Sequence, residues 1–231
     1  LQFRMTMRLP KSLNPVRSWR LLLSLLTFLA ETIHAEDPDA KVLFQTTCAI
    51  CHGPEGHGDQ SKMAPSIAHL PYWYVEIQLQ KFREGKRGVD PADPFGIQMR
   101  AMALALKEPQ ISAVARYINA LPAKPIEPID DEGDVVSGER IYMENCAACH
   151  RYNGYGEKVF RSPPLTGLSN WYLQAQFDKF RSGQRGGHEL DVDGAKMREM
   201  AKSIGKRAEA DLIAFLAELA KKHPPGERRT R

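Results

Sequence analysis

Cys48, Cys51 and His52, and again Cys146, Cys149 and His150, form two Cys-x-x-Cys-His motifs that use every cysteine of the chain. Two thiols three positions apart lie on one side of a helical turn. They can add across both vinyl groups of one porphyrin, and the adjoining imidazole then reaches the iron. The chemistry this points to is covalent attachment of two haems c, one per motif, with one-electron redox change at each iron. Cys-x-x-Cys alone also serves zinc half-sites and thiol–disulfide exchange. The 98 residues between the motifs (146 − 48) far exceed ribbon spacing, and zinc does not need a histidine directly after each pair. A redox dithiol has no use for two copies.

The histidine fills one axial position of a haem, and the opposite ligand sets the chemistry. Methionine closes the iron and raises its potential, histidine lowers it, and an open position permits catalysis. Met99 and Met197 each follow their histidine by 47 residues (99 − 52 and 197 − 150), far enough to fold back over the distal face. Met102 and Met200 lie three residues further on and repeat as well, so spacing alone does not choose between the pairs. Met63 aligns with Arg161 and has no twin. His57, His69 and His188 align with Tyr155, Gly167 and Asp90. A duplicated ligand role requires a duplicated residue, so these histidines read as surface or supporting groups, with His57 or His188 as the exception if the two haems differ.

The elements that must position these residues repeat at the same offset. Adding 98 carries Gly56 to Gly154, Gly58 to Gly156, Pro65 to Pro163, Trp73 to Trp171, Phe82 to Phe180 and Arg87 to Arg185. The register holds without a gap from Phe44/Tyr142 to Leu121/Leu219, so the chain is a tandem duplication of one small unit. An opening helix is expected over about Pro38–Thr47 and Ser137–Asn145. A second is expected over Tyr72–Glu84 and Asn170–Ser182, stopped by Gly85 and Gly183. A closing helix over Gln110–Ala120 and Ala208–Lys221 shows apolar residues at i, i+3, i+4 spacing. No stretch alternates as a strand does, so the fold class is all-α. The first unit spans 36–121 and the second 139–222. Between them 122–138, rich in proline and acid, reads as an extended linker.

Residues 1–35 carry the pattern of a secretory signal peptide. Basic residues precede an apolar run from Trp19 to Ala30, with Ala35 at a cleavage position. The run is shorter than the ~20 residues a spanning helix needs, and Ile33 is bulky for the −3 position, which keeps an uncleaved membrane anchor open. The expected location is the periplasm. The leader holds five of the 32 basic residues and one of the 28 acidic ones, so the remainder carries 27 of each sign. That balance gives no reason to expect a nucleic-acid partner. The basic tail, 223–231, reads as a solvated end, with peripheral membrane association as its sharper alternative.

Taken together, CAICHGPEGHG and CAACHRYNGYG, WYVEIQLQKFREGKRG and WYLQAQFDKFRSGQRG, then QMRAMA and KMREMA, resemble the dihaem cytochrome c4 family, two class I cytochrome c domains in tandem. The resemblance covers about Ala40 to Lys221. It implies that each domain wraps one haem, with Met99 and Met197 as distal ligands. It also implies that the carbonyls of Pro65 and Pro163 accept a hydrogen bond from His52 and His150. Gly138 and Tyr142 match an opening-helix Gly-x-x-x-aromatic pair packing on Phe215. The first domain has Ala40 and Phe44 there, facing Tyr117. Arg87 and Arg185 read as haem-propionate partners or, equally, as surface arginines.

The function this implies is single-electron transfer in the periplasm. The donor would be a quinol-oxidising complex or dehydrogenase, and the acceptor a haem-copper oxidase or reductase. An alternative is a dedicated subunit of a flavoprotein sulfide dehydrogenase or alcohol dehydrogenase. A dihaem peroxidase or thiosulfate-oxidising cytochrome needs an iron with an exchangeable site, which the matched methionines oppose, so no catalytic residue is expected.

Overall fold

A computed structural model of the chain describes residues 38–125 and 133–225. The leader at 1–35, part of the linker and the end of the basic tail lie outside the described residues. No β-strand occurs among the described residues, in keeping with the all-α expectation.

The first domain opens with α1 (Pro38–Leu43), runs through a π-helical turn (Phe44–Cys48), and continues as α2 (Ala49–His52). Sequence reasoning expects one regular helix over Pro38–Thr47. The π turn, closed by the Ala49 N–H on the Phe44 carbonyl, takes in one extra residue and so rotates α2 about the helix axis. Then come α3 (Tyr72–Arg83), α4 (Pro94–Ala105) and α5 (Glu108–Ala120). The second domain repeats the order with α6 (Val135–Asn145), α7 (Ala147–His150), α8 (Asn170–Ser182), α9 (Val192–Ser203) and α10 (Lys206–Lys222).

α6 begins inside the segment read as linker. Asp134 accepts hydrogen bonds from the N–H groups of Val136 and Ser137 at 3.0 and 3.3 Å, and this cap starts the helix at Val135 rather than at Ser137 or beyond 138. α4 and α9 have no counterpart in the expected elements. Each starts at an aspartate cap, Asp93 on the Gly96 N–H and Asp191 on the Gly194 N–H. Proline at the first position of α4 supports the same start, where its missing N–H costs nothing.

Each domain is held by its opening and closing helices. Phe44 packs on Tyr117 with ring centroids 5.2 Å apart, and Tyr142 on Phe215 at 5.4 Å. α10 is built from strong helix formers, and it buries Leu212, Ile213, Phe215, Leu216 and Leu219 on one face. Each such side chain contributes about 1.5–3 kcal/mol. Gly138 lets α6 and α10 approach closely, since a Cβ there would lie 2.0 Å from the Asp211 carbonyl oxygen. Ala40 is buried at the equivalent point, where its methyl takes the room that Gly138 leaves to the facing backbone.

Candidate functional site

In the first domain the π turn delivers Cys48 and α2 then presents Cys51 and His52. The chain returns over the imidazole by way of tight turns. Gly58 donates to the His52 carbonyl at 2.8 Å, Asp59 and Ala64 pair back to back, and Ile67 donates to the Gly56 carbonyl at 2.8 Å. This path sets the Pro65 carbonyl 2.8 Å from His52 Nδ1. A carbonyl can only accept, so Nδ1 carries the hydrogen and Nε2 keeps the lone pair for a metal. Burial holds the imidazole below its usual pKa, hence neutral, against the opposing pull of the Pro65 bond. The second domain reaches Cys146 from α6 without a π turn, but its loop and imidazole match: His150 Nδ1 donates to the Pro163 carbonyl at 2.8 Å, and Gly156 donates to the His150 carbonyl at 3.0 Å.

The competing cysteine chemistries fit poorly. No disulfide joins any two of the four cysteines. Burial pushes Cys48 up to about 11 and, with the nearby Cys149, Cys146 up to about 12, away from the thiolate form that exchange requires. Among the described residues no three His, Cys, Asp or Glu side chains converge as a zinc site would need.

Met99 lies near the middle of α4 and is partly buried against the core that also contacts Cys48 and Ala49. Met102, one turn on, is 45% exposed. In the second domain Met197 and Met200 both pack against the core, and the Met200 sulfur takes a contact from Ser203 Oγ at 3.7 Å. The unduplicated histidines are engaged elsewhere. His57 faces Glu55 through Nδ1 and the Pro122 carbonyl through Nε2, and His188 Nδ1 accepts from the Leu190 N–H.

Arg87 and Arg185 are not free surface arginines. They meet in the seam between the domains, where their backbones form an isolated antiparallel bridge. Arg87 donates to Gln78 at 2.8 Å and to Gln176 at 3.3 Å; Arg185 donates to Gln176 at 2.7 Å, Tyr74 at 3.0 Å and Gln78 at 3.2 Å. Each guanidinium also lies over its own domain's phenylalanine, Phe82 at 4.5 Å and Phe180 at 4.6 Å. Burial, then the charge of Arg185, holds Arg87 below its usual value. Burial alone would push the Tyr172 phenol up, but the Arg87 and Arg185 charges outweigh it and hold it down.

Two adjacent guanidiniums hydrogen-bonded to glutamine amides and tyrosine hydroxyls call for anions. An orphan elsewhere points the same way, since Arg100 Nε, one residue beyond Met99, is buried with no hydrogen-bond partner. A porphyrin with two carboxylates fits these residues, and so do the thiol pairs and the neutral imidazoles. Cys48 and Cys51, with His52 beside them, would hold one haem, and Cys146 and Cys149, with His150, the other. Each haem, when bound, supplies a one-electron iron couple.

Sequence reasoning did not find α4 and α9, nor the seam's reciprocal ion pairs. Lys81 Nζ lies 2.5 Å from Asp191 Oδ1, and Lys179 Nζ lies 2.7 Å from Asp93 Oδ1. The available signal was an Asp-x-x-Gly cap at 93–96 repeated at 191–194.

The cytochrome c family model matches residues 39–122 and 135–220. The thiosulfate dehydrogenase electron acceptor of Stutzerimonas stutzeri is 32% identical over 163 residues, covering 67% of this chain and 72% of that protein. Cytochrome c4 of Azotobacter vinelandii is 28% identical over 185 residues, covering 74% and 84%. The solved cytochrome c4 of Acidithiobacillus ferrooxidans superposes with a TM-score of 0.59 at 29% identity, over 74% of this chain and 98% of that one. With two matched attachment sites on two such domains, the chain belongs to the cytochrome c family as a dihaem, cytochrome c4-like electron-transfer protein carrying two covalently bound haems c.

Proposed function

We propose that this protein is a periplasmic carrier. It takes single electrons from a dehydrogenase or quinol-oxidising complex and delivers them to a haem-copper oxidase or reductase. Met99 and Met197 close the two irons opposite His52 and His150, and Arg87 and Arg185 neutralise propionates along the seam. The observation that carries the reading is the matched pair of sites. In both domains a buried imidazole has Nδ1 engaged, and a methionine packs on the core that includes or contacts the first cysteine of the motif. A haem enzyme needs an iron with an open or exchangeable position; a carrier does not, and no catalytic site of its own is assigned.

The role of the Stutzerimonas protein supports a dehydrogenase as donor. The apolar run over Trp19–Ala30 behind basic residues supports export. Among the described residues no helix is long and apolar enough to cross a membrane. A second reading, a dedicated subunit of a dehydrogenase complex, draws on the loop after the second motif, where Val159 and Phe160 are 83% and 53% exposed.

Native purification from periplasm and membranes, tracked by haem absorbance, tests the proposal. Elution alone, with reoxidation by host membranes, is the expected result. Stoichiometric coelution with a flavin- or quinone-bearing partner favours the subunit reading. Recovery only in the cytoplasmic fraction contradicts the proposed location.

A further inference from the structure

Asp93 and Asp191 are 3% and 2% exposed, yet both are carboxylates. Each spends Oδ1 twice. It accepts from the N–H of Gly96 (2.9 Å) or Gly194 (3.0 Å), capping the helix that carries Met99 or Met197. It also takes the ammonium of a lysine from the other domain, Lys179 at 2.7 Å on Asp93 and Lys81 at 2.5 Å on Asp191. A buried carboxylate without a counter-charge is costly, so the lysine supports the cap, with the Arg185 charge adding to it at Asp191.

Two pairs of glycines show how tightly this corner is built. A Cβ on Gly96 or Gly194 would stand 2.2 Å from the aspartate Oδ2. A Cβ on Gly88 or Gly186, next to Arg87 or Arg185, would stand 2.3 or 2.2 Å from the carbonyl oxygen of Gly96 or Gly194. The first turn of each methionine helix is thus pinned between its own cap and the arginine loop of its own domain. The remaining handle on the cap reaches across the seam.

We infer that Lys81 and Lys179 are positioning residues for the opposite domain's methionine helix, acting through Asp191 and Asp93, so that each domain adjusts the other's haem. This rests on Met99 and Met197 being the distal ligands. Removing Lys179 leaves an uncompensated carboxylate at the start of α4, in the first domain, although Lys179 itself belongs to α8 of the second. Added negative charge favours the oxidised iron, so the haem that shifts is the one attached at Cys48 and Cys51.

The test uses the holoprotein and its variants Lys179→Met and Lys81→Met. The readouts are the reduction potential of each haem and the strongly shifted axial-methionine methyl resonance of each reduced iron, assigned with Met99→His and Met197→His. Lys179→Met lowers the reduction equilibrium of the first haem by about threefold or more, within the usual range for coupled neighbours, and moves the Met99 methyl signal. The second haem stays as in the wild type. Lys81→Met does the reverse. Lys179→Arg retains the native values, and Asp93→Asn in the Lys179→Met background restores the first haem, because asparagine caps without a charge. This double variant and Lys81→Met carry the test if Lys179→Met alone does not assemble. A shift confined to the variant's own domain, equal shifts in both haems, or none in either overturns the inference. Survival of both methyl signals in Met99→His overturns instead the ligand assignment beneath it.

Discussion

Replacing Gly58 by alanine should alter the first haem's electron affinity through the loop that aims His52. Gly58 has φ +82°, and a Cβ there would lie 2.5 Å from Ser66 N, 2.6 Å from the Pro65 carbonyl carbon and 2.7 Å from Ala64 O. All three are backbone atoms, so no rotamer change relieves the overlap. The 64–66 strip has to retreat by roughly 0.8 Å to regain ordinary contact, and Pro65 O then leaves hydrogen-bond range of His52 Nδ1, now 2.8 Å away. An orphaned buried N–H costs about 1–3 kcal/mol, on top of about 1 kcal/mol or more for alanine at positive φ. An imidazole that no longer donates to a carbonyl is a poorer electron donor to iron, so the potential rises, by up to ~59 mV if the equilibrium moves tenfold. The control is Gly53→Ala. Gly53 also has positive φ, but a Cβ there meets nothing within 4 Å. Spectroelectrochemical titration of both variants, with the second haem as internal reference, decides the matter. A raised first potential in Gly58→Ala alone is expected. Equal shifts in both variants, or an unchanged potential in Gly58→Ala, would refute the link from loop to ligand.

The same geometry fixes the outcome of three other substitutions. Met99→Ala should turn the first haem high-spin or adventitiously ligated while the second keeps its spectrum; an unchanged first haem would move the assignment to Met102. Gly138→Ala should destabilise the second domain by about 1–3 kcal/mol or more in denaturant unfolding, because its Cβ would sit 2.0 Å from Asp211 O. Wild-type stability there would mean that α6 and α10 are not in close contact. Arg151, the counterpart of Gly53, holds φ 66° and ψ 156°, a region suited to glycine. Relief of about 1–3 kcal/mol of strain in Arg151→Gly should outweigh its half-exposed ion pair with Glu157, worth about 1 kcal/mol at most, and raise the melting temperature; a lowered one would show the residue is unstrained.

The attachment motifs and the tandem order were legible because each depends on residue type at a fixed offset, while the helix pairs Phe44–Tyr117 and Tyr142–Phe215 came from the family resemblance. The carbonyls of Pro65 and Pro163 were reachable by resemblance alone, since a main-chain acceptor leaves no mark in side-chain chemistry. α4 and α9 escaped notice because each buries only a glycine and an alanine, Gly96 and Ala103 or Gly194 and Ala201, rather than an apolar stripe. The start of α6 was hidden by its acidic cap, as Asp134 reads as one more linker acid until its carboxylate is seen on two N–H groups. The seam was least legible. An offset of 98 shows that Lys81 and Lys179 are equivalent, but not that each faces the other domain, because that depends on how the two copies pack.

The most direct measurement of the central claim is an optical potentiometric titration of the holoprotein, monitored at the methionine-to-iron charge-transfer band of the oxidised state. Two one-electron steps, each removing its share of that band, are what two closed, methionine-ligated haems predict. A step that leaves the band untouched would mean an open or differently ligated iron, and would contradict a matched pair built for carrying electrons.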